Sequence, residues 1–262
     1  MNTGAPQGCV LSPVLFILYT NSFCASNPGC QILKYADDTV VLGLIQDSDE
    51  SSYRSEISSV VQWCADNHLV LNASKTKEMI IDLRQRPSCP YPVFINGENV
   101  EFVGSYKYLG TVIDDRLKWE ENTDLLYRRG LQRLYYLRKL KTFHLDNEIL
   151  CLFYSSIIQS AITYNTVCWW SCLSVGNKIK LERIRRSAER TIGCCLENLS
   201  DLHSKKVLNK INNYIKENGV LSKEFVWLRS GRRLESFKCR TTRFNNSFVP
   251  YAIRIFNRES SL

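Results

Sequence analysis

Several features are missing from this 262-residue sequence, and each absence excludes a class of protein. Residues 149–177 contain no charged residue, but Ser, Thr, Asn and Gln side chains make the stretch too polar for a transmembrane helix. No basic segment precedes the first apolar run, which argues against a secretory signal peptide. The 11 cysteines include no C-x₂-C pair and follow no regular spacing. We therefore predict free thiols, no zinc site, no membrane association, and an intracellular location in the nucleus or cytoplasm.

Acidic residues are absent from residues 1–30, and charge is uneven along the rest of the chain. Residues 1–113 hold 7 Lys and Arg against 11 Asp and Glu, a net charge of −4, whereas residues 114–262 hold 27 against 15, a net charge of +12. A hydrophobic content of 44% with 23% charged residues is typical of a globular protein. The basic half is where we expect a polyanion such as nucleic acid to bind.

Two adjacent carboxylates, Asp37 and Asp38, interrupt the apolar run Gln31 to Leu44. The pattern predicts a strand, a tight turn with both carboxylates at its tip, and a second strand. A stiff hairpin of this kind can hold Mg²⁺ through hard oxygen ligands, although an Asp-Asp pair can equally form a simple polar turn. Simple alternation predicts one side with Tyr35, Thr39 and Val41 and another with Ala36, Val40 and Leu42.

Other segments of the first half predict further elements of a mixed fold. Ser12 and Pro13 predict a helix start, with a largely buried helix reaching Phe23. Apolar residues at helical spacing from Tyr53 to Cys64 predict an amphipathic helix. Asn96-Gly97 is a strong hairpin signal, and Ser105 to Ile113 predicts another strand.

From Glu120 onward the pattern becomes helical. Two helices are expected to carry an apolar stripe, the first with Tyr127, Leu131 and Leu134, the second with Leu181, Ile184, Ala188 and Ile192. Their arginines are expected on other faces, where they can follow a nucleic-acid backbone: Arg128, Arg129 and Arg133, then Arg183, Arg186 and Arg190. A further helix is predicted from about Leu202 to Glu217, and basic and aromatic residues alternate beyond it, as suits nucleic-acid binding.

Three motifs occur in a telling order: Gly4-Ala5-Pro6-Gln7-Gly8, Tyr35-Ala36-Asp37-Asp38 and Leu71-Asn72-Ala73-Ser74-Lys75-Thr76. In this order and spacing the chain resembles the reverse transcriptases of non-LTR, LINE-type retrotransposons. The resemblance covers at least residues 4–170 and is weaker beyond. It implies roles for particular residues, as follows: Asp37, Asp38 and Lys75 in catalysis, Asp37 and Asp38 as metal ligands, Pro6, Gln7, Gly8, Tyr35 and Ala36 in nucleotide and template binding, and Tyr108, Leu109 and Gly110 as a primer grip.

The resemblance also implies an α+β fold. Residues 1–113 would form a partial polymerase palm, an antiparallel sheet with the Asp37–Asp38 hairpin and covering helices. Residues 114–262 would be all-helical, with a thumb-like region at residues 114–200 and a basic C-terminal region at residues 201–262.

The implied activity is RNA-templated DNA synthesis from a DNA primer and deoxynucleotides, with two Mg²⁺ or Mn²⁺ ions. The resembling enzymes carry a further metal-binding aspartate on a strand before the Pro6-Gln7-Gly8 motif, and no carboxylate of residues 1–30 can replace it. We therefore expect an incomplete metal site and an inactive, N-terminally truncated polymerase. The alternative is a retroelement remnant that binds nucleic acid without any enzymatic role.

Overall fold

The structure is a computed structural model that describes residues 8–84, 91–217 and 220–259. The chain forms two compact units, Met1–Gly104 and Ser105–Leu262. Helices and small sheets are mixed, as the α+β expectation requires. The division of the chain at residues 113 and 200 stays a prediction.

The described part of the first unit contains two helices and three two-stranded sheets. Strands β1 with β2, and β4 with β5, pair antiparallel around tight turns, whereas β3 and β6 pair parallel. The predicted hairpin at Asn96-Gly97 is confirmed, with both turn residues at positive φ. The elements are α1 (Leu11–Tyr19), β1 (Cys30–Tyr35), β2 (Asp38–Gly43), α2 (Ser51–Asp66), β3 (Lys77–Glu78), β4 (Phe94–Ile95), β5 (Glu98–Asn99) and β6 (Glu101–Phe102).

Helix α1 is not the buried helix that its apolar sequence predicts. It starts at Leu11 with Val10 in the N-cap position, so Ser12 lies inside the helix. None of its residues is buried, and Ile17 and Leu18 are 62% and 66% exposed. The helix is apolar on all sides, so its sequence shows that it favours burial without showing what would cover it.

Helix α2 is confirmed as the amphipathic helix of this unit, and its apolar residues serve two small cores. Val60 and Cys64 pack with Phe23, and Ile32 and Val41 of the β1–β2 hairpin pack against this cluster. A neighbouring part of the helix packs on a second cluster built around Val93, Ile95 and Val100.

The second unit opens with a hairpin and continues as helices. Residues Ser105 to Ile113, predicted as one strand, instead fold back on themselves as two strands, β7 (Ser105–Tyr108) and β8 (Thr111–Asp114), around Leu109-Gly110. One β-bridge, Trp227 to Leu234, corrects the all-helical expectation for the C-terminal region. The elements are β7 (Ser105–Tyr108), β8 (Thr111–Asp114), α3 (Glu120–Thr142), α4 (Asn147–Phe153), α5 (Ser160–Ile162), α6 (Thr166–Trp169), α7 (Val175–Ile192), α8 (Leu199–Lys216), α9 (Thr242–Asn246) and α10 (Phe248–Glu259).

The main core of this unit lies between α3, α7 and the segment from α4 to α6. Gly130 lets α3 approach α7 closely, since a Cβ there would lie 3.1 Å from side-chain carbons of Ile184. The stripe predicted on α7 is confirmed, with Leu181, Ile184, Ala188 and Ile192 buried. On α3 the prediction is confirmed for Leu134, which is buried, and for Tyr127, which packs on the core, but it is wrong for Leu131, which is 44% exposed. The other apolar residues buried on this helix are Leu126, Gly130 and Leu137.

The uncharged stretch of residues 149–177 is a series of short helical segments rather than one long helix. Helix α4 passes into a π-helix, Tyr154–Gln159, and a 3₁₀ turn, Trp170–Cys172, follows α6. Tyr154, Trp169 and Trp170 are buried in the main core. Within the described ranges, no helix combines the length and apolarity needed to cross a bilayer.

A second core joins α8 to α10 and to the segment between them. Val207, Ile211 and Leu234 are fully buried there, and the Asn257 side chain donates to and accepts from the backbone of Leu234. Next to this core, His203 on α8 is 1% exposed.

Candidate functional site

Asp37 and Asp38 lie at the tip of the β1–β2 hairpin. Only Ala36 and Asp37 separate the strands, and Tyr35 pairs with Asp38. Ala36 has φ of 52°, the left-handed conformation that tight hairpin turns require. The register places Tyr35 on the face of Val40 and Leu42, so the expectation that Tyr35 shares a side with Thr39 and Val41 is wrong.

The two faces of the hairpin differ strongly in burial. Ile32 and Val41 pack into the core with Phe23 and α2, whereas Leu33 and Leu42 on the opposite face are 46% and 45% exposed. Asp37 and Asp38 are both exposed. The hairpin therefore holds its carboxylates in solvent on a base that is packed on one side only.

Carboxylates bind Mg²⁺ through hard oxygens, but a two-metal centre needs more ligands than these two residues supply. Across the residues that the structure describes, no group of three or more His, Cys, Asp or Glu side chains is placed to hold a metal. The residues described therefore do not fit a complete two-metal centre.

Two side chains that sequence reasoning missed fix the approach to the hairpin. The Lys34 ammonium donates to the carbonyl oxygens of Thr20 and Phe23 at 2.6 and 2.8 Å. The buried Glu56 carboxylate on α2 accepts from the backbone amides of Ser26 and Asn27 and from both of their side chains, at 2.8 to 3.1 Å by the nearer oxygen.

Burial works to raise the pKa of Glu56, but these hydrogen bonds outweigh it and leave the pKa below its ordinary value. The segment before β1 is thus tied to α2 by an ionised carboxylate. The sequence did contain a signal for this role of Glu56, because its carboxylate falls within the apolar stripe of α2 and a charged residue is rarely buried unless it is paired.

A cavity of about 390 Å³ lies beside β2, between residues 41–45 and residues 78–84. Glu78 at its wall is 8% exposed, and burial raises the pKa of its carboxyl group. Burial of the Tyr53 hydroxyl, and after it the charge of Glu78, raises the pKa of Tyr53. Gly43 leaves room for the Tyr53 ring, because a Cβ there would lie 2.7 Å from Tyr53 Cδ2.

The other predicted residues of this unit are placed as follows. Lys75 is exposed in a turn where the Asn72 side-chain oxygen accepts from its backbone amide at 3.1 Å. Gly8 has φ of 81° and precedes α1. Pro6 and Gln7 lie outside the described residues.

Tyr108, Leu109 and Gly110, predicted as a primer grip, come together at the β7–β8 turn. Leu109 and Gly110 both have positive φ. The Tyr164 hydroxyl donates to the Leu109 carbonyl oxygen at 2.8 Å, and its ring lies 3.4 Å from the position of a Cβ on Gly110. Tyr164, which sequence reasoning did not single out, therefore holds this turn against the helical core.

The six arginines predicted to bind a nucleic-acid backbone differ in exposure. Arg183, Arg186 and Arg190 are exposed along one face of α7, and Arg128 on α3 is exposed too. Arg129 and Arg133 are half-buried, and the Arg133 guanidinium donates to the Ile157 carbonyl oxygen. A seventh arginine of these helices, Arg185, is buried and pairs with Glu182 and Glu189, so it stabilises α7.

Comparison with known proteins identifies the first half of the chain. Residues 1–113 match the family model described as reverse transcriptase (RNA-dependent DNA polymerase). A probable RNA-directed DNA polymerase from transposon BS of Drosophila melanogaster is 28% identical over 149 residues, which are 53% of this chain and 16% of that protein. Residues 1–113 carry reverse transcriptase sequence.

Two further polymerases of mobile elements are similar to this chain. The RNA-directed DNA polymerase from the mobile element jockey of D. melanogaster is 28% identical over 51% of this chain and 16% of its own length. A probable RNA-directed DNA polymerase from the transposon X-element of D. melanogaster is 24% identical over 73% of this chain and 22% of its own length. The chain thus spans less than a quarter of these relatives.

Outside the reverse transcriptase match, residues 119–160 match a second family model, described as alkylated DNA repair protein alkB homolog 8, N-terminal. That match covers α3, α4 and the π-helix. No solved structure matches the chain significantly.

Proposed function

We propose that this chain contributes the Asp37–Asp38 tip and a nucleic-acid-binding helical region to a LINE-type reverse transcriptase. The whole protein would synthesise DNA on an RNA template from a DNA primer and deoxynucleotides. The observation that carries the proposal is the exposed carboxylate pair at the tip of an anchored hairpin, inside the region that matches the reverse transcriptase family.

The other predicted residues fit subsidiary roles. The exposed Lys75 would neutralise or protonate a pyrophosphate leaving group, and Gly8, Tyr35 and Ala36, with Pro6 and Gln7, would contact nucleotide and template. The Tyr108–Gly110 turn, held by Tyr164, would position a primer strand. The partial palm, thumb-like region and basic C-terminal region remain our interpretation of the two units.

By itself the chain should bind nucleic acid but not polymerise it. Losing ligands from a two-metal centre removes charge stabilisation in the transition state, and Asp37 and Asp38 alone leave the centre incomplete. Nucleic-acid binding would depend on the basic residues, of which the exposed Arg183, Arg186 and Arg190 form the clearest stripe.

Primer extension by the full chain, with Mg²⁺ or Mn²⁺ and an RNA–DNA template–primer, tests this proposal. We expect no extension, together with binding whose log K falls against log salt with a slope near −4 to −5 if about six phosphates are neutralised. If the chain does extend the primer, and Asp37→Asn abolishes extension while the matched α2 variant Asp66→Asn keeps it, the catalytic role of Asp37 is supported. The prediction that the chain alone is inactive would then be refuted.

The alternative, a remnant that binds nucleic acid without any enzymatic role, is favoured by the basic stripe on α7. Adding a separately produced upstream reverse transcriptase segment to the chain distinguishes the two. Extension that requires both the added segment and Asp37 supports the polymerase, whereas binding without extension supports the remnant.

A further inference from the structure

A groove on the second unit joins aromatic and basic side chains in a way the proposed function does not use. It has a volume of about 460 Å³ and lies between α3 and the segment formed by α4 and the π-helix. We call it the Tyr136 groove, after the aromatic residue on its wall. Its lining residues are Arg133, Tyr136, Lys139, Leu140, Phe153 and Ile157.

Helical spacing builds this groove from two elements that the core holds rigidly. Arg133, Tyr136 and Leu140 follow one another at i, i+3 and i+7 on α3, while Phe153 and Ile157 are four residues apart on the facing segment. The neighbouring residues Leu137, Tyr154 and Ile158 are buried in the main core. The groove is therefore a surface row of side chains next to a fixed interior.

The chemistry of the lining is that of an aromatic anion's site. Leu140, Phe153 and Ile157 supply an apolar surface, and Tyr136, which is 58% exposed, supplies an aromatic face. The aliphatic stems of Arg133 and Lys139 complete this almost entirely apolar wall, so their charged ends lie at its rim, and none of the six residues is acidic. A nucleotide has the complementary structure, because a flat base is joined through a sugar to a negative phosphate.

Two details support a binding role. The Arg133 guanidinium donates to the Ile157 carbonyl oxygen, which fixes it at the groove and leaves other donors for a phosphate. Ile157 belongs to the π-helix Tyr154–Gln159. Such π-helical turns are rare in proteins, and those that do occur within α-helices often lie at functional sites.

We propose that the Tyr136 groove binds one unpaired nucleotide of a single strand, with its base stacked on Tyr136 and Phe153 and its phosphate at Arg133 and Lys139. A paired base is excluded, because its faces are covered by neighbouring pairs. This inference rests on the proposed nucleic-acid binding, and adds to it a preference for single strands.

The test uses the full chain and 12-nucleotide single strands, one of RNA and one of DNA, each with 2-aminopurine at a central position. We expect Tyr136→Ser to weaken binding roughly 5- to 150-fold, the value of one stacked base, and to abolish the 2-aminopurine quenching that binding causes. Tyr135→Ser is the neighbouring control, because Tyr135 is similarly exposed at 62% on the same helix, meets the Tyr136 ring edge-on at a centroid distance of 5.6 Å, and does not line the groove. Both tyrosines are exposed, so neither change should prevent folding.

A strand with an abasic site at the central position completes the experiment. It should bind the wild-type chain less tightly, and Tyr136→Ser should remove that difference. A Tyr136-dependent signal with RNA, DNA or both supports the groove and shows which sugar it accepts.

Failure of the inference and failure of the proposed function give different results. If the chain binds both strands but Tyr136→Ser behaves like Tyr135→Ser, the groove does not hold a base and the inference is wrong while nucleic-acid binding stands. If neither strand binds the wild-type chain at low salt, both are wrong.

Discussion

His203 offers a quantitative test of the packing in the second unit. Its ring is 1% exposed and lies between Trp170 and Tyr251, at centroid distances of 6.2 and 5.2 Å. In the described part of the chain, neither ring nitrogen has a hydrogen-bond partner. Burial, aided by the charges of Lys178 and Lys206, lowers the pKa of His203 to about 4. The ring is therefore neutral in the folded chain at pH 7, and at pH values between 6.5 and about 4 it gains a proton on unfolding.

This shift makes stability depend on pH with a defined sign. Between the ordinary value of 6.5 and the folded value of about 4, the unfolded chain binds a proton that the folded chain does not, so stability falls as pH falls through this window. Integrating the linkage between these two values gives a loss of about 2 kcal/mol between pH 7 and pH 5.

Replacing His203 with phenylalanine should remove this loss. The phenyl ring keeps the aromatic contacts and leaves no buried nitrogen without a partner, so the variant should be at least as stable as the wild type at pH 7. Urea unfolding followed by circular dichroism at pH 7 and pH 5 measures both effects. The control is His144→Asn, because His144 is exposed and has φ of 56°, a conformation that asparagine accepts. A His203→Phe variant that loses as much stability as the wild type between the two pH values would refute the reasoning.

Three further predictions concern packing. Leu42→Lys, on the open face of the hairpin, should raise soluble yield and change stability by under about 0.5 kcal/mol, whereas Val41→Lys should destabilise the hairpin by roughly 2 to 4 kcal/mol, seen as faster amide exchange. Glu56→Gln should cost about 2 kcal/mol at pH 7 and progressively less as pH falls below the ordinary carboxyl pKa, because the ionised carboxylate contributes stability that is lost as pH falls through its lowered pKa. Gly130→Val should cost about 1 to 3 kcal/mol in urea unfolding, since its side chain meets Ile184.

Each of these predictions has an outcome that contradicts it. Equal exchange rates in the two lysine variants would mean that the hairpin faces are not distinct. For Glu56, a loss of stability that does not shrink as pH falls from 7 through the acidic range would show that the ionised form is not what the amides need. Tolerance of valine at position 130 would show that α3 and α7 do not approach as closely as described.

The sequence predicted the helices and strands better than it predicted which parts of the chain pack against them. Helix α7 could be predicted because four apolar residues recur at helical spacing and the core takes that face. For α3 the same reasoning selected Leu131 in place of Leu126 and Gly130, because glycine has no hydropathy signal although it allows the closest approach between helices. What packs against a helix is set by distant parts of the chain, which periodicity does not report.

In the candidate site, too, some features could be predicted from the sequence and others could not. The carboxylate pair and its turn follow from Tyr35-Ala36-Asp37-Asp38, but the face that Tyr35 occupies depends on a two-residue turn. That turn makes Tyr35 and Asp38 a pair, so counting alternation through the turn gives the wrong face. The bonds from Glu56 to residues 26 and 27 could not be found locally, since the partners are about 30 residues apart.

The hydrogen bond between Tyr164 and Leu109 joins residues 55 positions apart, and this separation has a consequence during synthesis. At translation rates of about 5 to 20 residues per second, the β7–β8 turn leaves the ribosome roughly 3 to 11 seconds before the tyrosine that holds it. A two-residue hairpin forms in microseconds but is marginal by itself. The turn therefore opens and closes many times on the nascent chain, and becomes permanent only when the residues up to Tyr164 have been made and folded.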